Sequence, residues 1–119
     1  MIVLIEGADG TGKTTLANLL CARFGFKYIH FGIPDSRPID YWFKNLVNVR
    51  ESIVIDRLHL SELIYGVIYR NKPDLSLSEQ QLVEGWLIAR NGICIVCDLS
   101  WSEVNNNNNT IINNLITNN

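Results

Sequence analysis

Eight residues near the amino terminus, Gly7-Ala8-Asp9-Gly10-Thr11-Gly12-Lys13-Thr14, admit very few folds. They fit the pattern G-x-x-x-x-G-K-[ST] at every fixed position, between the apolar run Met1 to Ile5 and an apolar segment that opens at Lys13. Glycines let a backbone curl until successive N–H groups point inward at phosphate oxygens, and a following helix adds the positive end of its dipole. In such a loop Asp9, Gly10, Thr11, Gly12, Lys13, Thr14 and Thr15 surround the bound phosphates. Lys13 neutralises the outer phosphates, and the Thr14 hydroxyl ligates the Mg²⁺ that bridges them. The plainer alternative is a turn from strand to helix that happens to hold a lysine.

The rest of the chain repeats the alternation of strand and helix. "MIVLIEG" is an unbroken apolar run ending in glycine, as in a strand buried on both faces of a parallel sheet. "KTTLANLLCARF", Lys13 to Phe24, reads as a buried helix stopped by Gly25. "FKYIHFG" reads as a second strand, followed by a loop through Pro34 and Pro38 and a short helix from about Ile39 to Val49. "SIVIDR" is a third strand rich in β-branched residues, with Asp56 at its end. Leu60, Leu63, Ile64, Val67 and Ile68 follow the spacing of an amphipathic helix that stops at Asn71 to Pro73. A further helix opens near Leu77, with Ser78 and Gln81 in capping-box spacing and Leu77 and Leu82 placed as a staple, and closes at Asn91-Gly92. "ICIVCDL" is a fourth buried strand. The expected fold class is α/β: three layers, α/β/α, with a parallel sheet of about four strands carrying the phosphate loop.

Composition narrows the function. The 119 residues carry a net charge of −2 and are 47% hydrophobic, which suits one compact domain and argues against a nucleic-acid or membrane surface needing clustered Lys and Arg. Phosphate binding must therefore be local. The run Met1 to Ile5 has no basic segment before it and no cleavage site after it, and no apolar run reaches the ~18 residues that span a bilayer. Three cysteines, Cys21, Cys94 and Cys97, are an odd number in a chain without an export signal, so reduced thiols and a cytoplasmic location are expected. Cys94 and Cys97 fall on opposite faces of a strand with no second Cys or His pair nearby, and are expected as buried core thiols rather than metal ligands.

"IVIDR" puts a carboxylate at the tip of an apolar strand, where a parallel sheet gathers its site. Asp56 can hold Mg²⁺ there, directly or through water, and Arg57 offers a planar fork to a pair of phosphate oxygens. A helix cap for Asp56 and a surface ion pair for Arg57 are the structural alternatives.

"IEGADGTGKTT" together with "IDRLHLSELIYG" resembles the thymidylate kinases and their phage-type deoxynucleoside monophosphate kinase relatives, whose segments read E-G-x-D-x-x-G-K-[ST]-T and D-R-x-x-x-S-x-x-x-Y. The resemblance covers about residues 2 to 100. It implies Mg²⁺-dependent transfer of the ATP γ-phosphoryl group to a deoxynucleoside monophosphate, dTMP giving dTDP in the first place. It implies roles for Lys13 and Thr14 at the donor phosphates and metal, for Asp9 at the acceptor's sugar hydroxyl, and for Asp56 and Arg57 at metal and acceptor phosphate. Ser61 and Tyr65 match the segment beside the acceptor. Lys13, Asp56 and Arg57 are thus the expected catalytic groups. An Asx turn remains the structural alternative for Asp9, and a deoxynucleoside kinase or a nucleotide-binding module without turnover are the alternative functions.

Other candidates divide between site and scaffold. Glu6 suits either, as an acceptor of backbone or arginine hydrogen bonds. Tyr41, Trp42 and Phe43 must face different directions, so core packing is expected for most of them. Arg37 and Arg70 are candidate phosphate ligands but are expected rather as solvated surface charges, and His30 and His59 have no carboxylate or cysteine at ligand spacing. After Val104 the composition changes to Asn105–Asn109 and a further Asn-rich stretch, so residues 1–104 are expected as the kinase core and residues 105–119 as a disordered or weakly helical tail.

Members of the resembled family with glycine at the position of Gly10 usually supply a transition-state arginine from a mobile lid, followed by a fifth strand. No Lys or Arg follows Arg90 here. The expectation is a core lacking the usual lid and last strand. A natural minimal form that uses Arg37, Arg57 or Arg70, a binding-only relic, and a frame-shifted end of a longer gene all account for it. The helix from Leu58 to Arg70 could also pair two chains, and burial within one chain explains its apolar face equally well.

Overall fold

Alternate residues of the first strand face opposite layers, and this sets the architecture of the computed structural model, which describes residues 1–8, 10–32 and 34–97. The chain runs β1 (Ile2–Gly7), α1 (Lys13–Phe24), β2 (Lys27–His30), α2 (Pro38–Leu46), β3 (Ile53–Asp56), α3 (His59–Arg70), α4 (Leu77–Ala89) and β4 (Gly92–Cys97). The four strands form one parallel sheet in the order β2-β3-β1-β4.

Handedness dictates where the helices lie. The step from β1 to β2 runs one way across the sheet, and the steps from β2 to β3 and from β3 to β4 run the other way. With right-handed crossovers, α1 must cover one face and α2 to α4 the other. The packing agrees: Val3 and Ile5 of β1 join Leu16, Ala17 and Leu20 of α1 in one core, while Ile2 and Leu4 join Trp42, Leu46, Val83 and Leu87 in the other. Ile2 to Ile5 and Ile53 to Ile55 are all fully buried, as their unbroken apolarity predicts. The α/β class, the parallel sheet and the three layers are as expected.

Some local expectations need correction. Helix α2 closes at Leu46, where Val47 N–H bonds to Phe43 O and Val49 N–H to Leu46 O in a tightening turn, instead of running on to Val49. The capping box of α4 is formed by Ser76 and Glu79, not Ser78 and Gln81. Leu77 and Leu82 are exposed and make no staple, and the residue before the cap, Leu75, is buried instead. The box fits at Ser76 because Glu79 stands at the third helical position, where a carboxylate reaches back to the cap N–H.

Strand β4 is an edge strand among the described residues, and its Cys94 and Val96 are exposed, so only Cys97 of its two cysteines is a buried core thiol. On α3 the stripe Ile64, Val67 and Ile68 is also exposed, and the buried residues of that helix are His59 and Gly66. Apolar spacing shows that a face is apolar; it does not supply a neighbour to cover it. No helix among the described residues is long and apolar enough to cross a membrane. The Asn-rich tail lies outside the described residues.

Candidate functional site

Strands β1 and β3 are neighbours whose following helices leave to opposite faces, and such a divergence opens a crevice at the carboxyl edge of the sheet. Register sets what meets there. Ile5 lies beside Asp56, His30 lies beside Asp56 from the other side, and Gly7 lies beside Cys97.

The turn after β1 is built from glycines. Gly10 and Gly12 take φ of 78° and 90°, left-handed values that suit glycine. Gly12 stands at the cap position before α1 and supplies no side-chain hydrogen bond to the first turn. Thr11 Oγ1 donates to Ala8 O at 2.6 Å, so this hydroxyl fastens the loop to itself. Lys13 is buried and its Nζ donates to Ala8 O at 3.2 Å. Thr14 is exposed and Thr15 is half-buried on the first turn of α1. Asp9 lies outside the described residues.

The turn after β3 has no glycine. Asp56 is buried, and its Oδ2 accepts a 2.7 Å hydrogen bond from the Tyr28 hydroxyl, with His30 Nδ1 at 3.7 Å from the same oxygen. Its Oδ1 is buried with no hydrogen-bond partner among the described residues. Arg57 stands at φ 69°, an unusual value for a residue with a Cβ. Its N–H donates to Ile5 O at 2.8 Å and its guanidinium lies 5.2 Å from the centre of the Tyr65 ring. Burial of the Tyr28 hydroxyl, followed by its bond to Asp56 and the charge there, pushes that phenol up to about 12.

Glu6 braces this second turn. It is 2% exposed; its Oε1 accepts from Leu58 N–H at 2.7 Å and its Oε2 from the Ser61 hydroxyl. A buried carboxylate at the end of β1 thus supplies the polar partners that start α3 where no cap residue does. Ser61 commits its hydroxyl proton to that contact.

Two clefts flank these turns. One, of about 370 Å³, is lined by Lys13, Thr14, Tyr28, His30, Asp56 and Arg57. The other, of about 430 Å³, includes Phe31, Trp42, Arg57, Ser61, Tyr65 and Arg70 in its wall. Arg57 belongs to both. The predicted residues Lys13, Thr14 and Asp56 are therefore together, and Ser61 and Tyr65 share the second cleft. Trp42 is a core residue that also reaches this cleft, while Tyr41 packs edge-on to Phe31 and Phe43 edge-on to Trp86. Arg37 is paired with Glu79 and Asp74 at the surface. Arg70 is also half-exposed and paired with Glu62, yet it reaches the second cleft.

Sequence spacing overlooked Tyr28 altogether and left His30 without a partner. Both stand on one face of β2, two residues apart, and only the β2–β3 register brings them to Asp56. A polar or aromatic pair at alternate positions near a strand's carboxyl end was the available signal. His59 likewise finds a carboxylate through the fold: its Nε2 is 3.4 Å from Glu84 Oε1 on α4, with Nδ1 buried and unpartnered among the described residues. Groups of three or more His, Cys, Asp or Glu able to hold a metal are absent among the described residues. The donor set around Asp56 Oδ1 and Thr14 is instead the sparse oxygen set that suits Mg²⁺, a cation that keeps most of its waters and substrate oxygens.

No family model matches the chain. Over 44 residues, 37% of this chain, it is 41% identical to the deoxyguanosine kinase of Bacillus subtilis (strain 168), and the match spans 21% of that kinase. Among solved structures, the YorR protein of Bacillus subtilis, determined in complex with phosphorylated GDP, is similar with a TM-score of 0.68 at 18% identity. That likeness covers 82% of this chain and 58% of the YorR chain, and it shows that the two share the α/β fold.

Proposed function

We propose that the chain is a phosphate-loop kinase core that transfers the γ-phosphoryl group of ATP to a deoxynucleoside monophosphate, with dTMP as the acceptor implied by the sequence resemblance. The observation that carries this reading is the position of Arg57, which lines both clefts. A donor terminal phosphate in the first cleft and an acceptor phosphate in the second would meet at one fixed positive charge. The glycine loop and the similarity to a nucleoside kinase support phosphorylation of nucleosides or nucleotides as the general class.

The residues divide the work. The loop N–H groups and Lys13 hold and neutralise the donor phosphates. Thr14 and Asp56 would hold Mg²⁺, which when bound supplies further neutralisation of the phosphate oxygens. Arg57 draws the acceptor phosphate toward the donor, fixed by its backbone bond to Ile5 and by the Tyr65 ring beneath it. Tyr65, Trp42 and Phe31 give the second cleft aromatic surface for a base, and Asp9 is the proposed partner of the acceptor sugar. In the transfer the bond from the γ-phosphorus to the bridging oxygen breaks as an acceptor phosphate oxygen bonds to that phosphorus, and ADP leaves. A phosphate oxygen already carries charge, so no general base is required.

The match to a deoxyguanosine kinase favours a second reading, in which a nucleoside hydroxyl is the acceptor. ADP formation from Mg²⁺-ATP, measured with dTMP, dGMP, thymidine and deoxyguanosine, separates the two. Turnover with a monophosphate and none with nucleosides is expected. Turnover with nucleosides alone establishes the second reading, and ATP binding without ADP formation from any acceptor overturns both. Lys13→Ala should abolish ATP binding; unchanged affinity would refute its assigned place at the donor phosphates.

A further inference from the structure

Resting on that reading of Asp56 as a metal group, we propose that Tyr28 is a positioning residue for the divalent cation, its hydroxyl holding Oδ2 of Asp56 so that Oδ1 is left to the metal. The two oxygens of this one buried carboxylate have unlike surroundings. Oδ2 receives the Tyr28 hydroxyl at 2.7 Å, whereas Oδ1 is buried with no partner among the described residues. A buried carboxylate oxygen without a donor carries a substantial desolvation penalty, and a cation removes it. Tyr28, Asp56 and Thr14 all line the first cleft, where the proposed function places the nucleotide phosphates.

Geometry favours Tyr28 over its neighbour for this role. His30 Nδ1 stands 3.7 Å from the same Oδ2, beyond hydrogen-bond distance, and the His30 side chain is 56% exposed. Tyr28 reaches Asp56 because β2 pairs with β3 in a register that sets Tyr28 beside Val54 and His30 beside Asp56. A ligating carboxylate that is itself hydrogen-bonded is oriented by that bond, and loss of such a partner weakens metal affinity by about 10- to 100-fold.

The test is a titration of Mn²⁺, as an Mg²⁺ probe with a magnetic signal, into the protein with ADP, reading free Mn²⁺ by electron paramagnetic resonance. Tyr28→Phe keeps the ring and removes the donor. It should weaken Mn²⁺ binding in the ADP complex by about 10-fold while leaving ADP affinity in EDTA unchanged. In an Asp56→Asn background the same change should add nothing. Mn²⁺ binding by Tyr28→Phe as tight as wild type overturns the inference. So does an equal loss of metal-free ADP binding, or failure of Tyr28→Phe to fold, since either makes the bond structural. Wild type that binds ADP no better with Mn²⁺ than in EDTA removes the metal from Asp56 and this inference with it. Absent phosphoryl transfer with metal-dependent binding intact defeats only the proposed reaction.

Discussion

The turns after β1 and β3 lie side by side and make the same manoeuvre, a strand delivering its chain to a helix on one face of the sheet, by different means. After β1 the left-handed φ values fall on Gly10 and Gly12, where they cost little. After β3 the left-handed value falls on Arg57, whose Cβ makes it unfavourable by ~1–2 kcal/mol. The second turn is held by contacts from elsewhere: Arg57 N–H on Ile5 O, and Leu58 N–H and Ser61 on Glu6. The first turn is specified by its own residues, and the second by the strand that precedes the first. β1 therefore governs both halves of the site.

The largest expected effect tests how the first turn is tied to the sheet. Gly7 has φ 142°, and a Cβ there would lie 2.2 Å from the carbonyl oxygen of Cys97, with that residue's backbone also close on either side of it. No flexible side chain is available to move. Gly7→Ala should lose about 4 kcal/mol in urea unfolding. A loss below ~1 kcal/mol, the size of an ordinary surface change, would mean that the loop is anchored by its own geometry and not by β4.

A smaller loss is expected where the second turn borrows its support. Glu6→Gln replaces one carboxylate oxygen by an amide donor, which cannot accept from either Leu58 N–H or Ser61. Losing a hydrogen bond to a buried charged acceptor should cost ~2 kcal/mol. The contrast between the turns predicts that ADP affinity in EDTA, which the proposed function assigns to the glycine loop, stays near wild type. Equal damage to stability and ADP binding would show that the two turns are not separable.

This contrast also explains what the sequence revealed. The glycine loop was legible because its chemistry resides in residue types at fixed spacing, and the strands because Ile2 to Ile5 and Ile53 to Ile55 are buried on both faces. Asp56 and Arg57 could be placed from the end of an apolar strand. Glu6 could not be assigned between scaffold and site, since its partners are more than fifty residues away in the chain. Tyr28 was invisible for the same reason: a hydrogen bond across two strands depends on register, and β2, with three of its four residues exposed, carries little apolar pattern to fix one. β4 and α3 misled because each presents an apolar face that the described residues do not cover.

The backbone conformations themselves can be exchanged between the turns. Gly10 has open space where a methyl group would go, so Gly10→Ala meets only its φ of 78° and should cost ~1 kcal/mol. Arg57→Gly should be more stable than Arg57→Ala by a similar ~1 kcal/mol, because both lose the side chain and only glycine relieves the strain. Urea unfolding of the three variants measures both signs. Arg57→Ala as stable as Arg57→Gly would show that the contacts from β1 compensate the turn completely.

The smallest effect concerns the support that the second turn receives from β2. The Tyr28 phenol is raised from 10 to about 12. The folded chain therefore retains a proton that the unfolded chain releases above pH 10, and stability must fall as pH rises from about 10 to about 12. At lower pH both states hold the proton and the contribution is complete. The ring is 41% exposed, so solvent screening keeps the loss below ~1 kcal/mol. Thermal unfolding at pH 9 and pH 11 should show a larger decrease for wild type than for Tyr28→Phe, since other tyrosines and lysines titrate alike in both chains. Identical decreases would mean that the bond to Asp56 does not distinguish the folded from the unfolded state, and that the second turn depends on β1 alone.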